Sequence, residues 1–345
     1  MIAGASTALA RRLAPHRVTT GVERQITVDR SNDCVVVDES VFVKWLTPPA
    51  SLPHRGLEVV SHLGAVGFEA MPSLLGSQIS GGHVEAIVFE HFPGADDGWT
   101  WMWDGVNGWF AGAEPDRVLI DAARLGRLAA DLHVAMATAS EVFPHPVGSV
   151  DRATERERGL ALLTTALAEV SPDDQPTAHA VLHAHRPALK DAIESIADGD
   201  TPALHIHGDL HVGQVLRVGD RLVAIDFDGN PLQSGRPPAH QPAAVDIASL
   251  VQSVDHVVRM TQHRQPGHDE RFDELAREMS RATLGSYRLG LQLAGRSELL
   301  DESLLSPLRA IQELHELVYA VRRLPRWAYA PTLALQAMFE NGSDR

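Results

Sequence analysis

Residues 205–231 contain two short apolar runs framed by polar side chains, and this segment restricts the fold more than any other. Its sequence is HIHGDLHVGQVLRVGDRLVAIDFDGNP. The Gly-Asp pair between VLRV and RLVAI is typical of a tight β-hairpin turn. Asp209 follows a glycine, Gln214 precedes the first run, and Asp226 follows the second. A hairpin would therefore bring these three side chains to one end.

Two carboxylates and an amide oxygen at one end of a hairpin suit a hard, oxygen-seeking cation such as Mg²⁺. A second interpretation uses the histidines, since His205, His207 and His211 form a string that could ligate Zn²⁺. No second cluster in the sequence completes such a zinc site. The simplest alternative is a β-hairpin that carries aspartates on its surface.

The residues before this segment predict a small β-rich lobe. Residues 24–46 are rich in valine, alternate with polar residues and predict three short antiparallel strands. A helix is expected over about 54–63, followed by a buried strand over 85–92. The sequence PGADDG at 93–98 then interrupts the pattern and places a lobe boundary there.

The rest of the chain predicts mainly helices. Leucines and a methionine in 119–138 recur at spacings of three and four. Similar patterns occupy 156–171, 178–197 and much of 243–323. The fold class is therefore α+β, with an N-terminal lobe over 1–93 and an α-helical C-terminal lobe, carrying the β-hairpin, over 94–345.

Composition narrows the partners of the chain. The 345 residues include 45 acidic and 30 basic side chains, for a net charge of −15. This balance argues against a nucleic acid or an anionic membrane as partner. A single cysteine excludes a disulfide framework. No apolar run is long enough to span a bilayer, and the N-terminal basic residues follow the apolar stretch, so we expect a cytoplasmic protein.

The segment HGDLHVGQ followed by DFDGNP resembles the catalytic and metal-binding loops of the protein-kinase fold. HGD in place of HRD resembles the branch of aminoglycoside and choline kinases, which phosphorylate small molecules. The resemblance implies that Asp209 accepts the hydroxyl proton of the acceptor. It also implies that Gln214 and Asp226 hold Mg²⁺ beside ATP, while His207 supports the catalytic loop.

The kinase interpretation requires further residues upstream. The strand VFVKWL supplies Lys44 for the ATP phosphates, and Glu58 on the following helix is the expected partner of its ammonium group. Glu69 is the alternative partner. The segment VFEHF, which includes Glu90 and Phe92, is expected to form the interlobe hinge and bind adenine through its backbone. No glycine-rich loop precedes Lys44, so the phosphate-covering loop must be of another type.

Beyond the fold, the chain resembles the maltokinase group. The motifs that carry the resemblance, in chain order, are DGW (97–99), LGRLAADLHVAMA (125–137), HGDLHVGQ, DFDGNP, and ELHELVYAVRRLPRW (313–327). Maltokinases are longer at the N-terminus, usually have DFEGEP, and usually carry paired Tyr-Glu steps in the C-terminal helix. These departures make the chain most similar to the actinobacterial glucosamine kinases related to maltokinase.

The C-terminal helix provides candidate sugar-binding residues. Four polar residues follow spacings of four, three and four and so share one helix face: Gln312, Glu316, Tyr319 and Arg323. Trp327 is expected to continue that face and to contact a sugar ring. We also expect Asp228 near the acceptor, because an acidic pocket would favour the ammonium group of glucosamine over glucose. The alternative is a solvated surface helix.

The sequence therefore predicts an ATP- and Mg²⁺-dependent glucosamine kinase, and the family resemblance implies that the 6-hydroxyl of the sugar is phosphorylated. Maltokinase and an aminoglycoside or other amine kinase remain the alternatives among enzymes. Among proteins that are not enzymes, the alternative is a pseudokinase that binds nucleotide and acts as a scaffold. Asp246, in an apolar helix start, is expected either to cap that helix or to brace the catalytic loop.

Overall fold

A computed structural model describes residues 4–26, 32–230, 240–265 and 270–340. Within these ranges the strands are β1 (Glu23–Ile26), β2 (Asp33–Val37), β3 (Val41–Ser51), β4 (Leu74–Ser80), β5 (His83–Glu90), β6 (Asp96–Asp97), β7 (Val147–Asp151), β8 (Asp200–Leu204), β9 (Val215–Val218) and β10 (Arg221–Ala224). The α-helices are α1 (Ala5–Leu13), α2 (Arg55–Ala65), α3 (Gly98–Phe110), α4 (Asp116–Met136), α5 (Ala153–Glu169), α6 (Pro176–Glu194), α7 (Ala243–Gln262), α8 (Glu270–Leu293), α9 (Leu305–Arg323) and α10 (Tyr329–Glu340). None of the helices in these ranges combines the length and apolar character needed to cross a bilayer.

The chain folds into two compact units. The first contains Met1–Asp96, Thr138–Pro144 and Val215–Gly229, and the second contains the remaining segments. The assignment of 1–93 and 94–345 to two functional lobes remains a prediction. The first unit also includes two later segments that sequence order does not reveal, one of which carries the β9–β10 hairpin.

The first unit is built on a five-stranded antiparallel sheet with the order β1-β2-β3-β5-β4. Successive side chains of a strand point to opposite faces, so Val43 and Trp45 of β3 share one face and Lys44 takes the other. Val43 and Trp45 pack with α1 in an apolar cluster. Lys44 therefore lies on the face that α1 does not cover.

Helix α1 was not predicted from the sequence, where the N-terminal segment was considered only as a possible secretion signal. The helix buries Leu9 and Ala10 against the sheet. It is also held by a hydrogen bond that the indole Nε1 of Trp45 donates to Ser6 Oγ over 2.9 Å.

The second unit contains the helices α3 to α10 and the two-stranded sheet β7–β8. Helices α4 and α8 approach so closely that a Cβ atom at Gly126 would lie 1.9 Å from the carbonyl oxygen of Thr283. The Thr283 hydroxyl donates to the carbonyl of Ala122 over 3.1 Å at the same crossing. A residue without a side chain at position 126 is what permits this packing.

Replacing Gly126 with alanine is expected to lower the free energy of unfolding by about 1–3 kcal/mol, because overpacking a close backbone contact forces the helices apart. Gly285, on α8, is the matched control, since nothing lies within 4 Å of a Cβ built there. Its replacement with alanine should raise stability by up to about 1 kcal/mol through helix propensity. Urea denaturation measures both changes, and equal effects of the two substitutions would contradict the packing argument.

Candidate active site

Lys44 forms the charged centre of the first unit. Its ammonium nitrogen lies 2.6 Å from Asp226 Oδ1 and 2.8 Å from Asp228 Oδ2, and its side chain is only 8% exposed. Burial by itself would lower the pKa of Lys44, but the two carboxylates outweigh it and raise that pKa well above its usual range. The lysine is therefore a permanently charged group held by two acids.

The β9–β10 hairpin positions both acids. Its register pairs Arg221 with Val218, as the Gly-Asp turn predicts. A backbone hydrogen bond from the N–H of Ala224 to the carbonyl of Ala70, 2.8 Å long, fixes the end of β10. Asp226, two residues further, has a φ of +60°, a left-handed conformation that is uncommon for residues other than glycine and often found at functional sites.

The predicted Lys44–Glu58 pair does not form in this structure. Among the described residues the ion-pair partners of Lys44 are the two aspartates, and Glu58 lies in the first turn of α2. Its negative charge acts on His54, which caps α2 by accepting a hydrogen bond from the N–H of Leu57 over 3.2 Å. The alternative partner, Glu69, is exposed in the connection that follows α2.

Asp228 makes a contact that was not predicted from the sequence, which assigned this residue to the acceptor. Its carboxylate binds Lys44, and this placement depends on Gly56. A Cβ atom at position 56 would lie 1.9 Å from Asp228 Oδ1, so only glycine leaves room for the carboxylate at the start of α2. The last residue of the DFDGNP motif, Pro231, lies outside the described residues.

Glu90 and Phe92 lie where β5 ends. The Glu90 carboxylate accepts hydrogen bonds from Arg17 Nη1 over 3.1 Å and from the Ser73 hydroxyl over 3.0 Å. These bonds outweigh burial and lower the pKa of Glu90. The carbonyl of Phe92 accepts from the N–H of Ala95 over 3.3 Å. The adenine-binding role of this segment stays a prediction.

Asp209, the predicted proton acceptor, lies in the second unit. Its carboxylate is about one-fifth exposed, with Asn230 Nδ2 donating to Oδ1 over 3.3 Å and His211 Nε2 lying 3.8 Å from Oδ2. Burial is the largest influence and raises the pKa of Asp209; the nearby His211 and His207 lower it, while Glu316 raises it further. A largely buried carboxylate with a raised pKa is a suitable proton acceptor.

Gln214 ends a short 3₁₀ turn, Val212–Gln214, that follows Asp209. The turn is fixed by the N–H of Val212, which donates to Ser253 Oγ over 3.0 Å. Within the described residues no group of three or more histidine, cysteine, aspartate or glutamate side chains could hold a metal ion. The structure therefore gives no support to a zinc site on His205, His207 and His211.

Helix α9 carries the predicted polar face near Asp209. Gln312 Nε2 donates to Glu316 Oε1 over 3.0 Å, so these two residues share a face, as their spacing predicts. Tyr319 is half-buried, whereas Arg323 is exposed at the last position of the helix. Glu316 is close enough to Asp209 for its charge to raise the pKa of that carboxyl group.

Trp327 does not continue the face of α9, because the helix ends at Arg323 and Trp327 lies in a separate 3₁₀ turn, Pro325–Trp327. Its ring stands edge-on to Trp99, with centroids 5.1 Å apart, and perpendicular to the ring of His256 at 6.1 Å. The sequence singled out Trp99 in the DGW motif (97–99), but it did not predict its contact with Trp327.

A buried ion pair beneath Trp327 was also missed. His256 Nε2 lies 3.0 Å from Glu313 Oε2, and both side chains are almost completely buried. Burial would lower the pKa of His256, but Glu313 outweighs it and raises that pKa to about 9. The sequence signal was Glu313 beside the apolar stripe of α9, where a charged residue requires a partner.

Comparison with known proteins gives a consistent result, although a scan against protein-family models matched none. A glucosamine kinase from Streptacidiphilus jiangxiensis is 35% identical over 324 residues, covering 91% of this chain and 72% of the relative. A solved glucosamine kinase in complex with glucosamine, ADP and inorganic phosphate has a TM-score of 0.78 at 33% identity, covering 91% of this chain and 79% of that one. An aminoglycoside 2′-phosphotransferase bound to GDP, 13% identical with a TM-score of 0.51 and 98% coverage of both chains, shares the fold.

Proposed function

The chain belongs to the glucosamine kinase family, and on that premise we propose that it transfers the γ-phosphoryl group of ATP to a hydroxyl of glucosamine. The observation that carries the proposal is the 35% identity over 91% of the chain with a glucosamine kinase. The expected product is glucosamine 6-phosphate together with ADP.

The first unit would hold the phosphates of ATP. Lys44 supplies a charge that its two aspartate partners stabilise, and phosphate oxygens would compete for the same ammonium group. The Asp226 side chain is 39% exposed, so its carboxylate can accept a further ligand. Carboxylate oxygens suit Mg²⁺, and we propose that Asp226 binds this ion, which would neutralise charge on the phosphates. Gln214 stays the second ligand predicted from the sequence.

The second unit would supply the base and the acceptor site. Asp209 would accept the proton of the attacking hydroxyl, and Asn230, which donates to its Oδ1, would hold the carboxylate in orientation. Glu316, with Gln312 beside it, would face the ammonium group of glucosamine. Trp327 would place its ring against the sugar. Catalysis in such a site depends mainly on positioning and charge neutralisation.

Replacing Glu316 with glutamine is expected to raise the KM for glucosamine by about 10-fold or more, since a hydrogen bond to a charged group contributes about 1.5–3 kcal/mol. The KM for glucose, which lacks the ammonium group, should change far less. Steady-state kinetics with both sugars measure the difference. The control is Glu298→Gln on the surface, whose carboxylate pairs with Arg296. Equal changes for both sugars would remove Glu316 from amine recognition.

The direct test is ATP- and Mg²⁺-dependent release of ADP with glucosamine, N-acetylglucosamine, glucose, maltose and kanamycin in parallel. Turnover of glucosamine well above that of the other four supports the proposal, and phosphorus NMR of the product identifies the hydroxyl. Turnover of maltose alone would indicate a maltokinase. Binding of ATP without turnover of any of the five would favour the scaffold alternative.

A further inference from the structure

Three buried side chains from three helices form one hydrogen-bonded chain in the second unit. The Tyr287 hydroxyl of α8 lies 2.7 Å from His133 Nδ1 of α4, and His133 Nε2 lies 3.1 Å from Asp246 Oδ2 of α7. All three side chains are at most 1% exposed. None of them belongs to the nucleotide or sugar sites proposed above.

Asp246 connects this chain to the catalytic loop. Its Oδ2 accepts a hydrogen bond from the N–H of His207 over 2.7 Å, and its Oδ1 accepts one from the N–H of Gly208 over 2.8 Å. These are the two backbone groups immediately before Asp209. The position of the proposed base therefore depends on the orientation of the Asp246 carboxylate. Of the two roles that the sequence left open, capping its helix or bracing the loop, these contacts match the second.

For a neutral His133 ring, the donors and acceptors of the chain allow one consistent arrangement of hydrogens. Burial alone would raise the pKa of Asp246, but hydrogen bonds from His133 and the loop outweigh it and lower that pKa, so the carboxylate only accepts. His133 must then donate from Nε2. The ring nitrogen Nδ1 is left to accept, and the Tyr287 hydroxyl supplies the donor.

Tyr287 can serve in this way because it keeps its proton. Burial raises its pKa well above 10, and the negative charge of Asp246 raises it further. In the part of the chain that the structure describes, His133 is the hydrogen-bond partner of this hydroxyl. The close crossing of α4 and α8 at Gly126 brings the two residues together.

We infer that Tyr287 is a positioning residue for Asp209: its hydroxyl holds the ring of His133, which orients Asp246 and the backbone of residues 207 and 208. The inference rests on the proposed function for its kinetic readout. Loss of the hydroxyl would leave His133 Nδ1 without a hydrogen-bond donor and the ring held at one end only. The ring could then tilt, and the bond from its Nε2 to the Asp246 carboxylate would lose its alignment.

The first test is Tyr287→Phe, which keeps the ring and removes the hydroxyl. We expect kcat to fall about 10-fold with both KM values nearly unchanged, within the roughly 10²-fold loss that a 1 Å misplacement can cause. Tyr329→Phe is the control, because its ring stacks on His263 and it lies outside the chain of three. Unchanged kcat in Tyr287→Phe, with only a lower Tm, would overturn the inference.

A second variant separates the effect on the His133 ring from simple packing. Glutamine at position 133 donates to Asp246 from its amide and has no ring for the Tyr287 hydroxyl to hold. In the His133→Gln background, Tyr287→Phe should therefore lower kcat by less than about twofold, a non-additive result that indicates coupling between the two sites. An equal loss in both backgrounds would overturn the inference.

Nitrogen-15 NMR of histidine-labelled protein tests the contact between Tyr287 and His133 without any turnover. The His133 signals, assigned by their absence in His133→Gln, should show hydrogen on Nε2 in both proteins. The Nδ1 signal should move downfield in Tyr287→Phe, because that nitrogen no longer accepts a hydrogen bond. An unchanged spectrum contradicts the inference even in an active enzyme. The expected shift in a protein that does not turn over glucosamine supports the positioning role and contradicts the proposed function alone.

Discussion

Replacing Asp209 with asparagine is expected to lower kcat by about 10³-fold, within the 10²–10⁴-fold range of general acid–base catalysis. Asparagine keeps the size of the side chain and can still contact Asn230, but it cannot accept the hydroxyl proton. The affinity for ATP should stay within about twofold, since the proposed phosphate contacts belong to other residues. Steady-state kinetics give kcat, and titration calorimetry gives the Kd for ATP.

Asp174→Asn is the matched control, an exposed aspartate of the same unit that lies outside the proposed site. It should leave kcat and the Kd for ATP unchanged. A near-normal kcat in Asp209→Asn would show that another group accepts the proton. A loss of ATP binding in the same variant would place Asp209 among the nucleotide contacts.

Replacing Lys44 with methionine is expected to lower kcat/KM for ATP by about 10²–10³-fold, the range found when one preorganised hydrogen-bond donor to a transition state is removed. Methionine retains an apolar stem of similar length, so packing within the sheet is largely kept. The aspartates that lose their partner are 39% and 29% exposed, and water can therefore hydrate them. Kinetics with varied ATP, beside a thermal melt, separate lost binding from lost folding.

Glu58→Gln is the informative comparison for that variant. The sequence pattern paired Glu58 with Lys44, whereas the structure pairs the lysine with Asp226 and Asp228. We therefore expect Glu58→Gln to change kcat/KM for ATP much less than Lys44→Met. Comparable losses in the two variants would support the pairing predicted from the sequence over the one observed here.

Local sequence rules predicted the elements around the site. The Gly-Asp turn predicted the hairpin, and the alternation in β3 predicted a strand with Lys44 within it. The partner of Lys44 could not be predicted in the same way, because Asp226 is 182 residues away along the chain. Sequence spacing describes neighbours on one element, but says little about which distant elements meet.

The prediction that Trp327 continues the face of α9 was wrong, and the sequence itself contained the reason. Pro325 disfavours a helical conformation for the residue before it, and Leu324, with φ −144° and ψ 66°, lies outside the helical region. The helix therefore ends before Trp327. Residue spacing beyond Pro325 could not be used to place a side chain on the helix face. By contrast, Gln312 and Glu316 precede the proline, and their predicted common face is confirmed by the hydrogen bond between them.

The discontinuous make-up of the first unit has a consequence for biosynthesis. Its sheet comes from residues before Asp96, but the hairpin that supplies Asp226 and Asp228 is translated only after all of α3 to α6. When the nascent chain has emerged from the ribosome as far as β5, it contains Lys44 but not yet its partners Asp226 and Asp228. The first unit can therefore be completed only after about two-thirds of the polypeptide has been made, and a gene fragment ending at Asp96 would lack both aspartates of the proposed phosphate site.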